Sequence, residues 1–114
     1  MIPPLLRTLP RAIKVGSSLI ELRDLSSAQR AEELRGEFIP SERAICLDFT
    51  LPRGEAVETL LHEINHCIWA TWRVKVAHGN EQVCAVYARA LTEIFECNPR
   101  LVMWIAEALR EGGK

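Results

Sequence analysis

Residues 51–68 read LPRGEAVETLLHEINHCI, and the layout of this stretch decides the fold. Pro52 and Gly54 break whatever precedes them, and from about Glu55 the residues Val57, Leu60, Leu61, Ile64 and Ile68 recur at helical spacing. The spacing predicts an amphipathic helix whose apolar stripe faces a core. His62 and His66 stand four residues apart, so they project only about 40° from one another, one turn above the other. They flank the stripe on one side, where both imidazoles can reach a single metal ion while the backbone stays regular. Glu63 lies about 100° from His62 and about 60° from His66, so its carboxylate stands beside that ion rather than on it. Two neutral nitrogens, an adjacent carboxylate and a vacant position are what a catalytic zinc site needs, and the H-E-x-x-H pattern carries that mechanism. Chance produces such a match in a chain this short on the order of one time in several hundred. Chance would not also set it on an amphipathic helix with its histidines off the apolar stripe.

On the N-terminal side, residues 1–11 hold three prolines and are expected to form an irregular arm. Residues 12–25 mix Ile13, Val15, Leu19, Ile20 and Leu22 with polar neighbours, which predicts extended structure interrupted at Gly16-Ser17-Ser18. Ser26-Ser27 offers an N-cap for a short helix through Leu34 and Arg35 that stops at Gly36. Its charged patch, residues 29–33, reads as a solvated face with mixed pairs. Glu37-Phe38-Ile39 and residues 44–49 are apolar runs around the turn-forming Pro40-Ser41-Glu42-Arg43, a β-hairpin pattern. On the C-terminal side, His78-Gly79-Asn80 predicts a turn whose asparagine caps a helix from Glu81 to about Glu96. Asn98-Pro99 then starts a last helix, with asparagine as N-cap and an apolar face of Leu101, Val102, Ile105 and Leu109, helped by Trp104. Strands and a short helix followed by three helices give an α+β fold: a small antiparallel sheet packed on about four helices, with the motif on the central one.

The chain has 114 residues, 48% of them hydrophobic and 25% charged, which fits one compact domain over residues 1–114. A net charge of −1 gives no basic excess for a phosphate backbone, so no nucleic-acid partner is expected. No segment approaches the length of a membrane span, and the N-terminus lacks the apolar core of a signal peptide. Cys46, Cys67, Cys84 and Cys97 contain no C-x-x-C pair and read as reduced thiols of a cytoplasmic protein.

The third metal ligand is less determined. The extended motif with a third histidine would put glycine at 69 and histidine at 72, where this chain has Trp69 and Trp72. The motif helix is expected to end near Trp69–Trp72, because a helix running on to Val76 would carry the chain about 15 Å from the metal. Glu81 is the best placed candidate, at the start of a helix whose small face at Cys84, Ala85 and Ala88 allows close approach to the motif helix. His78, Glu93 and Cys84 are its rivals, and Glu81 has an ordinary alternative as an acidic first-turn residue. Asp48 is either a partner that orients a histidine or a solvated strand end. Tyr87 and the three tryptophans read as core or core margin.

Thr59-Leu60-Leu61-His62-Glu63-Ile64-Asn65-His66, followed by Asn80-Glu81 opening a helix, resembles the gluzincin metallopeptidases. More narrowly, it is similar to their minimal single-domain versions, the ImmA/IrrE-like proteins and small phage-type metallopeptidase-like proteins. Residues 36–48 are similar to the hairpin those proteins place before the motif helix, and the likeness covers about residues 36–100. The resemblance implies a zincin-like fold, with His62, His66 and Glu81 binding zinc and Glu63 as general base. It implies a hydrolase acting on a protein or peptide substrate, which an exposed edge at strand 44–49 would hold by main-chain pairing. The alternative is a catalytically silent, zinc-stabilised interaction module, and the sequence leaves a homo-oligomer or a protein partner open. An intact Glu63 favours catalysis, since a purely structural site has no use for a base there. A SprT-type protease acting on DNA-bound proteins is disfavoured by the acidic balance.

Overall fold

The computed structural model describes residues 8–75 and 79–112. In chain order these form β1 (Ala12–Val15), β2 (Ser18–Asp24), α1 (Ser27–Ala31), β3 (Gly36–Ile39), a 3₁₀ turn (Pro40–Glu42), β4 (Ala44–Leu47), α2 (Arg53–Thr71), α3 (Asn80–Cys97) and α4 (Pro99–Gly112). The architecture is α+β, with one four-stranded sheet in the order β1-β2-β4-β3.

β1 and β2 form the first hairpin, Ile13 opposite Ile20, and Gly16 turns it at a φ of 63° that favours glycine. Ile13, Val15, Ile20 and Leu22 are buried while Lys14, Leu19 and Glu21 are exposed, the alternation of strands with one face on a core. The second hairpin also forms where the turn residues place it, with Phe38 opposite Ile45 and Arg43 left-handed at φ 49°.

The sheet is mixed, not antiparallel as expected. β4 runs parallel to β2, Leu22 opposite Ile45, because the segment carrying α1 and β3 lets the chain re-enter the sheet in the same direction. That pairing makes β4 a central strand with all four residues buried. The expectation of an exposed edge at strand 44–49 is therefore corrected: the edges are β1 and β3.

α1 is capped as the sequence predicts. Ser26 Oγ accepts from the Gln29 N–H at 3.2 Å, and Gln29 Oε1 accepts from the Ser26 N–H at 2.8 Å, a capping box worth about 1 kcal/mol. It ends after Ala31 rather than at Gly36, with Glu33 left-handed at φ 60°. Arg30 bridges Asp24 (2.6 Å) and Asp48 (3.0 Å), and Gln29 donates to Glu37 (2.7 Å). These bonds fasten α1 to the sheet face opposite the long helices.

α2 packs on β3, β4 and α4, whereas α3 packs chiefly on β1 and α4. Ile45 and Leu47 of the sheet share one core with Leu60, Ile64 and Ile68 of α2 and Trp104 of α4. α2 ends at Thr71, inside the expected interval. α3 begins at Asn80, with Gly79 rather than Asn80 as its N-cap, and His78 lies outside the described residues. α4 starts at Pro99 as predicted, but the Asn98 side chain does not cap it. Instead its Oδ1 accepts from the Lys14 N–H and its Nδ2 donates to the Lys14 carbonyl, both at 2.8 Å, as a strand's peptide group would. The buried stripe of α4 is Leu101, Trp104 and Ala108, since the bulk of Trp104 sets the contact line; Val102 and Leu109 face outward. Among the described residues no helix is long and apolar enough to cross a membrane.

Candidate metal centre

The motif sits at the middle of α2, where Leu60, Ile64, Cys67 and Ile68 are buried and His62, Asn65 and His66 are exposed. Of the predicted stripe Val57, Leu60, Ile64 and Ile68 are buried and Leu61 is half-buried, while Ala56, Glu63 and Cys67 join the buried face. The two imidazole rings meet edge to face, with centroids 4.9 Å apart and planes at 78°. Two imidazoles bound through nitrogen to one tetrahedral zinc would have ring centres about 5 Å apart, the separation that this pair shows.

Glu63 is 6% exposed and, among the described residues, is the one buried charged side chain. Its carboxylate has no hydrogen bond or ion pair among those residues. Yet no fully enclosed side-chain oxygen there lacks a partner, so the carboxylate meets open space. That space is a groove on either side of it. One half is bordered by Phe38, Pro40, His66 and Trp69, the other by Glu33, Gly36, Glu58 and His62. A charged side chain with a buried stem and no protein partner departs from the ordinary burial pattern, and such departures concentrate at functional positions.

Gly36 explains how Glu63 is covered. A Cβ on Gly36 would lie 2.8 Å from Thr59 Cγ2, 3.1 Å from the Cys46 carbonyl oxygen and 3.3 Å from Glu63 Cγ. Glycine therefore allows β3 to cross the motif helix at near contact and to roof the Glu63 stem. Thr59 is β-branched and therefore stiff at χ1, and the Cys46 oxygen is backbone, so neither yields cheaply. Gly36→Ala is expected to cost about 1–3 kcal/mol in urea unfolding, part of it recovered by adding Thr59→Ser. An unchanged unfolding midpoint would show that β3 and α2 are not this close. In the sequence Gly36 reads as a helix stop, and no local signal distinguishes that from a close approach.

The other candidates separate. Glu81 is exposed at the start of α3 and is not brought into a group with the histidines. Among the described residues no three His, Cys, Asp or Glu side chains are placed to hold a metal ion together. The small face of α3 does not approach α2 as expected, for Cys84, Ala85 and Ala88 are all exposed, as is Glu93. All four cysteines are free thiols. Burial, with the Glu63 charge adding to it, pushes the Cys67 thiol up to about 12, so this residue packs as a neutral apolar group. Asp48 orients no histidine: it accepts from Thr50 Oγ1 at 2.6 Å and from Arg30. Although burial opposes it, those bonds hold the Asp48 carboxyl below its usual range. Tyr87 packs against the core, as do Trp72 and Trp104. Trp69 departs from the expectation, being 38% exposed along the groove.

Comparison with known protein families, with curated proteins and with solved structures gives no match to this chain.

Proposed function

We propose that the protein is a cytoplasmic, zinc-dependent metallopeptidase of the gluzincin kind with a zincin-like fold. The observation that carries this reading is the exposed His62–His66 pair, at a separation suited to one ion, beside the buried and unpaired Glu63. His62 and His66 hold the zinc, with Glu81 as third ligand. The start of α3 stands apart from the pair, so ligation by Glu81 requires that end of the helix to approach it. When bound, zinc supplies Lewis acidity toward water and a peptide carbonyl. Glu63 accepts the proton of the attacking water and returns it to the leaving amine. β3, not β4, offers the main-chain edge for the substrate. Arg35 O accepts from Asp48 N–H, so ladder parity turns the backbone groups of Gly36 and Phe38 outward, next to Glu63.

Metal content by mass spectrometry tests the centre. One zinc per chain is expected, with His66→Ala weakening binding by more than the 10–100-fold that loss of a supporting hydrogen bond costs. Zinc retained in Glu81→Ala would move the third ligand to His78, Glu93 or Cys84. A protein that takes up no zinc on titration would overturn the reading.

A second reading, a zinc-stabilised interaction module without catalysis, draws on the outward Val102, Met103 and Leu109 of α4. It requires Glu63 to be dispensable.

A further inference from the structure

The two halves of the groove beside Glu63 differ in chemistry. On the His66 side the walls are Phe38, Pro40 and Trp69, an apolar and aromatic surface. On the His62 side stand Glu33 and Glu58. Arg35 borders that half too, but its guanidinium is paired with Glu55, so it does not neutralise them. Glu33 and Glu58 make no ion pair among the described residues. The buried Glu63 opens into both halves and stands at their junction. An exposed carboxylate pair alone would be a solvated rim. Here it adjoins an unpartnered carboxylate that the fold buries and aims into the same groove.

We propose that this groove takes an extended peptide carrying a large apolar or aromatic side chain on one side of Glu63 and a lysine or arginine on the other. The apolar side chain covers Phe38 and Trp69, and the cation lies between Glu33 and Glu58. The free edge of β3 spans both halves, since Gly36 borders one and Phe38 the other. A strand paired there points alternate side chains at α2, so two of them reach the two halves at once. An acidic peptide meets repulsion at one end. The inference rests on the peptidase reading for the bond that is cut, though not for the binding.

The test uses zinc-loaded protein and short peptides with one phenylalanine and one lysine in an alanine background, in both orders, beside the same peptides with glutamate for lysine. Binding is read by calorimetry on Glu63→Gln protein and cleavage on the native chain. The lysine peptides are expected to bind about tenfold tighter than the glutamate ones, with the ratio shrinking as salt is added. Glu58→Lys, an exposed change, should cancel or invert that ratio, and Trp69→Ala should remove the advantage of phenylalanine over alanine. Equal binding of lysine and glutamate peptides, or a Glu58→Lys protein with unchanged preference, would overturn the proposal. Cleavage without charge preference sinks this inference and leaves the peptidase. Charge-selective binding without cleavage by native protein sinks the peptidase and leaves the groove. Neither binding nor cleavage sinks both.

Discussion

Glu63→Gln is expected to lower peptide hydrolysis by the native, zinc-loaded chain at least about 100-fold, the usual contribution of a positioned general base. The change is nearly isosteric, so neither the Leu60–Ile64–Ile68 stripe nor the cover supplied by Gly36 is disturbed. Glutamine keeps a carbonyl oxygen toward the groove but cannot take a proton. Zinc content should therefore stay at the native level while turnover falls, and KM should change far less than kcat. Because the Glu63 oxygens face the groove rather than a sealed interior, Glu63→Gln should unfold in urea within about 0.5 kcal/mol of the native chain. Full activity in this variant would eliminate Glu63 as the base and leave the interaction-module reading standing.

Trp104→Ala carries the largest expected loss of stability. Trp104 is 2% exposed and closes the core between α4 and α2. Removing a buried indole loses its transfer free energy and leaves a cavity that the surrounding side chains refill only in part, together about 3–5 kcal/mol. Domains of this size unfold with about 5–15 kcal/mol in all, so the variant should melt about 15 °C or more below the native chain. Its neighbour Met103 is 69% exposed, and Met103→Ala should change stability by about 0.5 kcal/mol or less. The contrast between adjacent residues separates packing of α4 from its helix propensity. Loss of less than about 1 kcal/mol in Trp104→Ala would mean that α4 does not lie on α2 as described.

The parts of this fold legible in the sequence are those with a local cause. Helix α2 follows from its apolar period, α4 from Asn98-Pro99, and the β3–β4 hairpin from Pro40-Ser41-Glu42-Arg43 between two apolar runs. His62 and His66 are exposed and adjacent because four residues make about one turn. What escaped depends on partners far along the chain. The parallel pairing of β2 with β4 has no signature in either strand. Its trace was available in the unbroken apolar run Ala44-Ile45-Cys46-Leu47, which fits a strand covered on both faces better than an exposed edge. Gly36 follows a helical segment and resembles a helix stop, whereas its role is set by Thr59 and Cys46. Asn98 does precede a helix, yet its amide is taken by Lys14, 84 residues away. The sequence points to Glu81 by interval and helix position, and neither fixes which neighbour the start of α3 packs against.

The Asn98 amide has a consequence for how copies of this chain meet. It occupies the outward N–H and carbonyl of Lys14, in the middle of the four-residue strand β1. At Lys14 the β1 side of the sheet is thus engaged, whereas β3 presents the outward groups of Gly36 and Phe38. Endless growth of stacked sheets needs building blocks that can join at two ends, as a polymer needs monomers with two reactive groups. At β1 the Asn98 amide acts as a cap on that growth, since an arriving strand must first displace it.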